Sequence, residues 1–176
     1  LLASLLLLTG CGSQTTPKAA PMPTPLAELP VARMELPRIE FCSLVHPKSI
    51  AAALGQPTTK LPRGVAETSY GNGDPLDLGP IGDQRVQELG CIWTLGGESV
   101  AAWIFARPVD EAFAQTILTA ARSQRRCTLT EGGFGSIGLG QQCPQADGRT
   151  RVRHAGLFGQ TWLTCQVTGS DQVAAR

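Results

Sequence analysis

Six cysteines, two histidines, one glycine-rich run and three nearby aspartates are the parts of this 176-residue chain whose types and spacing could carry chemistry. Gly133-Phe134-Gly135-Ser136-Ile137-Gly138 spells the G-x-G-x-x-G of dinucleotide sites. That motif works only where a parallel strand enters and a helix leaves, so that amides and helix dipole meet the pyrophosphate. Here a helical stretch and Cys127 precede it and a strand-like stretch follows, which predicts a turn between helix and sheet. His46 and His154 are too few for a zinc site, which needs three or four converging ligands, and they lack the nucleophile and orienting acid of a triad. His46, ahead of Pro47, reads as a helix cap or surface residue, and His154 as a strand residue beside Arg153. Ser136 is not in a G-x-S-x-G elbow, because Phe134 stands two residues before it. Asp74, Asp77 and Asp83 are interrupted by Pro75 and Pro80, whereas calcium loops space their oxygens closely; they read as solvated carboxylates. The expectation is no catalytic residue, no metal and no cofactor. An envelope enzyme drawing its catalytic groups from a long loop is the alternative from another class.

The charge balance narrows the partners. Formal net charge is +1 and only 16% of residues are charged, which leaves no electrostatic footprint for nucleic acid. The length suits one domain with additions.

The first eleven residues set the expected compartment. Leu1-Leu2-Ala3-Ser4-Leu5-Leu6-Leu7-Leu8 is a short apolar run, far below the roughly 20 residues that span a bilayer, and it reads as the apolar region of a signal peptide. It ends in Leu8-Thr9-Gly10-Cys11, which resembles the lipobox of bacterial lipoproteins: a branched apolar residue, two small residues, then the cysteine. The resemblance implies that residues 1–10 are removed, that the Cys11 thiol carries diacylglycerol, and that the new amine is acylated. Two or more chains suffice for stable anchoring at about 0.8 kcal/mol per buried methylene. An ordinary secretory signal with a chance cysteine is the competing reading. No Met or basic segment precedes Leu1, so Leu1 is expected to be a fragment edge.

Residues 11–37 follow as a tether, with Pro17, Pro21, Pro23, Pro25, Pro30 and Pro37 and no apolar periodicity. Such a segment cannot bury a core, and in polyproline geometry it reaches roughly 80 Å at about 3.1 Å per residue. It could stand the domain off from the membrane through a wall layer or serve as a plain spacer.

The elements that must position anything else lie in residues 38–176, expected to be one globular domain. Pro47 to Leu54, stopped by Gly55, reads as a short helix. Residues 56–89, broken by Pro and Gly, read as a long loop with short strand pieces. Cys91-Ile92-Trp93-Thr94-Leu95 and Ser99-Val100-Ala101-Ala102-Trp103-Ile104-Phe105 flank Gly96-Gly97 as a hairpin. Asp110 caps a helix carrying Phe113, Ile117, Leu118 and Ala121 on one face, with Arg122, Arg125 and Arg126 in its last turn. Thr150 to His154 and Gln160 to Val167 form a second hairpin around Gly156 and Gly159, and Ser170 onward reads as a third helix inside which the chain stops. The predicted fold is α+β: helix, hairpin, helix, hairpin, with helices on one face of an antiparallel sheet and a hint of an α-β-β unit used twice.

Two groups on the strands could touch a ligand. Trp93 and Trp103, with Phe105 and Trp162, belong mainly to the core, but one or two could line a groove for an apolar or glycan ligand. Arg149, Arg151 and Arg153 alternate along one strand and should make a basic stripe, solvated or turned toward anionic lipid or wall polymer.

The lipobox, the proline-rich tether, Phe41-Cys42-Ser43-Leu44-Val45, Ala52-Ala53-Leu54-Gly55, Cys91-Ile92-Trp93 and the strand pair from Gly138-Leu139-Gly140 to Arg153 together resemble the small actinobacterial lipoproteins that carry a domain of unknown function. The resemblance covers residues 38–176. It implies a location on the outer face of the cytoplasmic membrane and a further C-terminal helix that this chain lacks. It supplies no activity.

With Cys11 reserved for lipid, five cysteines remain in an oxidising setting where thiols usually pair. Cys42 with Cys91 would staple the first helix to the hairpin across the long loop, which the resemblance also implies. Cys127 with Cys143 would bracket the glycine-rich run and leave Cys165 for a partner in a missing helix. Pairing Cys143 with Cys165 and leaving Cys127 is the alternative, as is a reactive Cys165. The expected function is a lipid-anchored, non-catalytic binding module meeting an envelope protein, lipid or glycan, with a carrier of a lipid or apolar ligand as the second reading.

Overall fold

The structure is a computed structural model that describes residue 24 and residues 28–38, 41–56, 58–70, 76–81 and 84–174. The signal segment and Cys11 lie outside the described residues, as do most of the tether, Asp74 and Asp83.

Helix α1 (Pro47–Ala53) starts where the Nδ1 of His46 accepts a hydrogen bond from the Lys48 amide at 3.1 Å, with Pro47 in its first turn. Four strands follow: β1 (Ala66–Tyr70), β2 (Leu76–Ile81), β3 (Gln84–Leu95) and β4 (Glu98–Phe105). Helix α2 (Glu111–Arg122) comes next, its Asp110 side chain accepting from the Phe113 amide at 2.7 Å. Four more strands, β5 (Thr128–Glu131), β6 (Gly138–Pro144), β7 (Thr150–Phe158) and β8 (Thr161–Gly169), precede the short α3 (Asp171–Ala174). The domain is therefore α+β on a single antiparallel sheet, in the order β1-β3-β4-β8-β7-β6-β5, with β2 beside β1 on the same edge of β3.

Several expectations need correction. Each predicted hairpin is the end of a four-stranded run: residues 66–89, read as part of a long loop with short strand pieces, form β1, β2 and the first half of β3, and β5 and β6 precede the second hairpin. Pro80 and the glycines made these strands read as isolated pieces in a loop, yet Pro80 lies in β2 next to a register shift and away from the sheet centre, where proline is tolerated. The glycine-rich run is not a link from helix to sheet; it joins β5 to β6 and folds over β7. There the Ser136 amide donates to the Leu157 carbonyl at 2.8 Å and the Leu157 amide donates to the Ile137 carbonyl at 2.8 Å. Ordered contacts with the domain begin before Arg38: the Gly159 amide donates to the Val31 carbonyl at 3.0 Å, and Leu36 packs on the core.

The helices do not share a face. Ile50 and Leu54, at α1, pack with Phe41, Leu89, Cys91, Trp93, Ala102 and Ile104. Phe113, Ala114, Ile117 and Leu118 of α2 pack with Val86, Phe105, Leu139, Ala155, Leu157 and Trp162. Leu89, Cys91 and Trp93 alternate with Glu88 and Gly90 along β3, and side chains of opposite parity leave a strand on opposite faces. The sheet is thus covered on both sides, which a half-buried hairpin pattern does not announce.

Two disulfides tie these layers, Cys42–Cys91 and Cys127–Cys143. The first fixes the segment ahead of α1 to the centre of β3. The second joins the stretch after α2 to β6. Cys165 is free.

Candidate functional site

Strand register builds a floor on the α1 face. Trp93 pairs with Val100, Val100 with Val167 and Val167 with Val152, so these four side chains form one row across β3, β4, β8 and β7. Beside it runs Cys91, Ala102, Cys165 and His154, matched by the same pairings. Helix α1 stands over one end of this floor, and α3 reaches it through Val173 and Ala174. Between them lies a groove of about 790 Å³, walled by Val45, Ile50, Ala52 and Ala53 and floored by the two rows. Its polar side chains are few: His154, Ser49 and the Cys165 thiol line it, while the Gln166 side chain turns to the opposite face, where it meets Arg153.

Side-chain contacts at the ends of the strands fix the groove's borders. The Ser170 amide donates to both carboxylate oxygens of Glu98, at 3.3 and 3.1 Å, and the Thr150 hydroxyl donates to Asp171 Oδ1 at 2.6 Å. These contacts pin α3 over β7 and β8. On the other side, the Trp93 indole N–H donates to Glu67 Oε2 at 2.8 Å, which fixes a ring that is 0% exposed. Burial pushes the Cys165 thiol up to about 11, so at neutral pH it is a protonated, weakly polar part of the floor.

Of the residues expected to meet a ligand, Trp93 lies at this groove, but Trp103 lies on the opposite face, its Cα partner Gly90 facing Tyr70. A single groove lined by both tryptophans does not form. The arginine stripe is also corrected. Arg149 precedes β7 and turns back to Asp147, with Nη2 2.7 Å from Oδ2, and its Nη1 donates to the Gly97 carbonyl. Arg151 and Arg153 do share the α2 face, but both are half-buried rather than solvated. The Arg153 guanidinium sits 5.3 Å from the Trp103 ring centre, and its Nε and Nη2 donate to Gln166 Oε1 at 3.2 and 3.0 Å.

Arg153 and Trp103 border a second cavity of about 180 Å³ beneath α2, with Glu88, Gln141, Trp162 and Thr164. Glu88 is 2% exposed and its Oε1 has no hydrogen-bond partner. Burial raises its carboxyl to about 8, against the opposing pull of Arg153 and the Trp103 side-chain hydrogen bond. Tyr70, also desolvated and facing Glu88, is held above the usual phenol range. Sequence reasoning missed Glu88, Tyr70 and Gln141. The only signal was parity: Glu88 shares a face with Val86, which points inward once β3 is known to run from Gln84.

Compared with protein-family models, curated proteins and solved structures, the chain matches none.

Proposed function

We propose that this protein is a lipid-anchored, non-catalytic binding module of the bacterial cell envelope, and that its ligand is an acyl chain held in the α1-face groove. The groove is the observation that carries the reading. Its volume of about 790 Å³ falls within the range of small-molecule sites, which are mostly apolar with a few polar groups to orient the ligand. Its floor crosses three inter-strand steps from Trp93 to Val152, about 14 Å at the usual strand spacing. A long apolar trough of that shape suits an extended hydrocarbon chain better than a compact ring, and His154 at one end gives a polar headgroup a contact. The lipobox at Leu8-Thr9-Gly10-Cys11 and the proline-rich stretch behind it support anchoring at a membrane outer face, where such ligands are at hand. The resemblance to small actinobacterial lipoproteins agrees with that placement.

The test is titration with a dansyl-labelled undecanoic acid, followed by displacement with palmitate. Wild type should bind saturably. Ala53→Phe and Val167→Phe, which fill the groove from wall and floor, should weaken binding at least tenfold while melting like wild type. Equal binding by wild type and both filled variants would overturn the reading, as would capture of only a glycan or a protein on the outer surface.

A further inference from the structure

The face opposite the groove carries a separate cavity. We infer that the cavity beneath α2 binds a small carboxylate anion, ion-paired to Arg153 and hydrogen-bonded to Glu88 Oε1. A cavity of about 180 Å³ has the room of roughly six waters in the liquid, enough for a carboxylate with a few carbons. The walls Trp103 and Trp162 would take the hydrocarbon part.

Charge decides the class of ligand. Arg153 is drawn below its usual range by desolvation, and among the described residues it forms no ion pair; its two side-chain hydrogen bonds both go to the neutral Gln166. Arg151, on the same face of β7, has a buried Nε with no partner. A desolvated cation without a counter-charge is costly, and an anion brought against it removes that cost. Ionised Glu88 would pull on Arg153, but burial raises its carboxyl to about 8, so at neutral pH the protonated form predominates and supplies little of that counter-charge. In that form it is a donor lacking an acceptor, which a carboxylate oxygen supplies. An alkylammonium ligand would instead meet the charge of Arg153.

Among the described residues, the groups that face Glu88 are Tyr70 from β1 and Arg153 from β7, with Arg151 acting on Arg153. Helix α2 contributes Ile117, Ala120 and Ala121 to the cavity, and Gln124 joins them from just past its end, none of them charged. The pH dependence of binding therefore belongs to Glu88. Affinity should be level from about pH 6, where the ligand carboxylate is fully ionised, up to pH 8, and fall about tenfold per pH unit above it.

The experiment is titration of the full chain, labelled with nitrogen-15 at tryptophan, with sodium acetate and separately with methylammonium chloride. Acetate should shift the Trp103 and Trp162 indole signals saturably and leave Trp93, on the other face, unmoved. Arg153→Met should weaken binding at least tenfold. Glu88→Gln, which keeps a donor in place, should bind acetate with no loss of affinity above pH 8. The inference is overturned if acetate produces no saturable shift at millimolar concentration, if methylammonium binds instead, or if Arg153→Met binds like wild type. Should Arg153→Met fail to fold, the pH profiles of wild type and Glu88→Gln decide: a fall above pH 8 in wild type alone supports the site, and parallel profiles sink it. Failure here leaves the acyl groove untouched, since the two sites share no side chain.

Discussion

Replacing Glu88 by glutamine should change how the stability of the domain depends on pH, and the sign follows from the direction of its shift. A carboxyl held to about 8 when folded keeps its proton in the folded state over a range where the unfolded chain, at the usual value near 4.5, has lost it. The folded state then binds more protons, so stability falls as pH rises between those two values and levels off above the upper one. A shift of about 3.5 units corresponds to ~5 kcal/mol at 1.36 kcal/mol per unit. This is an upper bound, because water entering the cavity would solvate the carboxylate. Set against a typical total of roughly 5–15 kcal/mol, the effect is large. The glutamine side chain would fill the same space with an amide that does not titrate. Urea unfolding followed by circular dichroism, at steps from pH 5 to pH 9 with disulfides intact, should show wild type losing a few kcal/mol and Glu88→Gln staying flat. Around pH 9 the variant should be the more stable of the two. Wild-type stability that is level or rising over this interval, or a variant with the same slope, would refute the account of Glu88 as a buried neutral acid.

The two disulfides should differ in worth. Cys42–Cys91 closes a separation of 49 residues and Cys127–Cys143 one of 16, which loop entropy places at about 4 and 3 kcal/mol; urea melts of the two double-alanine variants should rank them in that order. Cys165, pushed up to about 11 by burial, should react with iodoacetamide about a hundredfold more slowly than an ordinary exposed cysteine near neutral pH, and palmitate in the groove should slow it further. Timed alkylation read by intact mass checks both. Gly156→Ala should cost about 1–3 kcal/mol, because a Cβ there would run into the Phe134 carbonyl of the β5–β6 connection; a thermal melt unchanged from wild type would argue that this connection does not sit on β7.

Local chemistry made some elements readable and left others hidden. Asp110 and the spacing of Phe113, Ile117 and Leu118 marked α2, and the pairing of glycines at 96–97 between β-branched and aromatic runs marked the β3–β4 turn. The helix was read too long, since Arg125 and Arg126 fall past its end at Arg122. Strands β1 and β2 were legible only as unplaced strand pieces in a loop, because Ala66–Tyr70 and Leu76–Ile81 carry polar residues, Gly and Pro, and owe their conformation to the ladder with β3 rather than to their own propensity. Sidedness was out of reach for a related reason. Alternation says that Trp93 and Trp103 point somewhere, but which face each occupies depends on the register between strands. The groove valines were visible as strand residues and the row they form was not, because β4 and β8 meet from distant parts of the chain.

That meeting has a consequence for how the chain is made. The seam of the sheet is the β4–β8 ladder, where Ser99 to Ile104 pair with Leu163 to Thr168, so among the described residues the two four-stranded halves join only through β8, which comes after the other seven strands in the chain. Until β8 has emerged, β4 offers an open edge of aromatic and β-branched residues, the kind of template on which chains aggregate. Pairing across such a separation is also slow to find. A chain built this way does best when its earlier strands are kept from pairing until β8 is available. The half-made sheet is thus the form of the domain most in need of a chaperone.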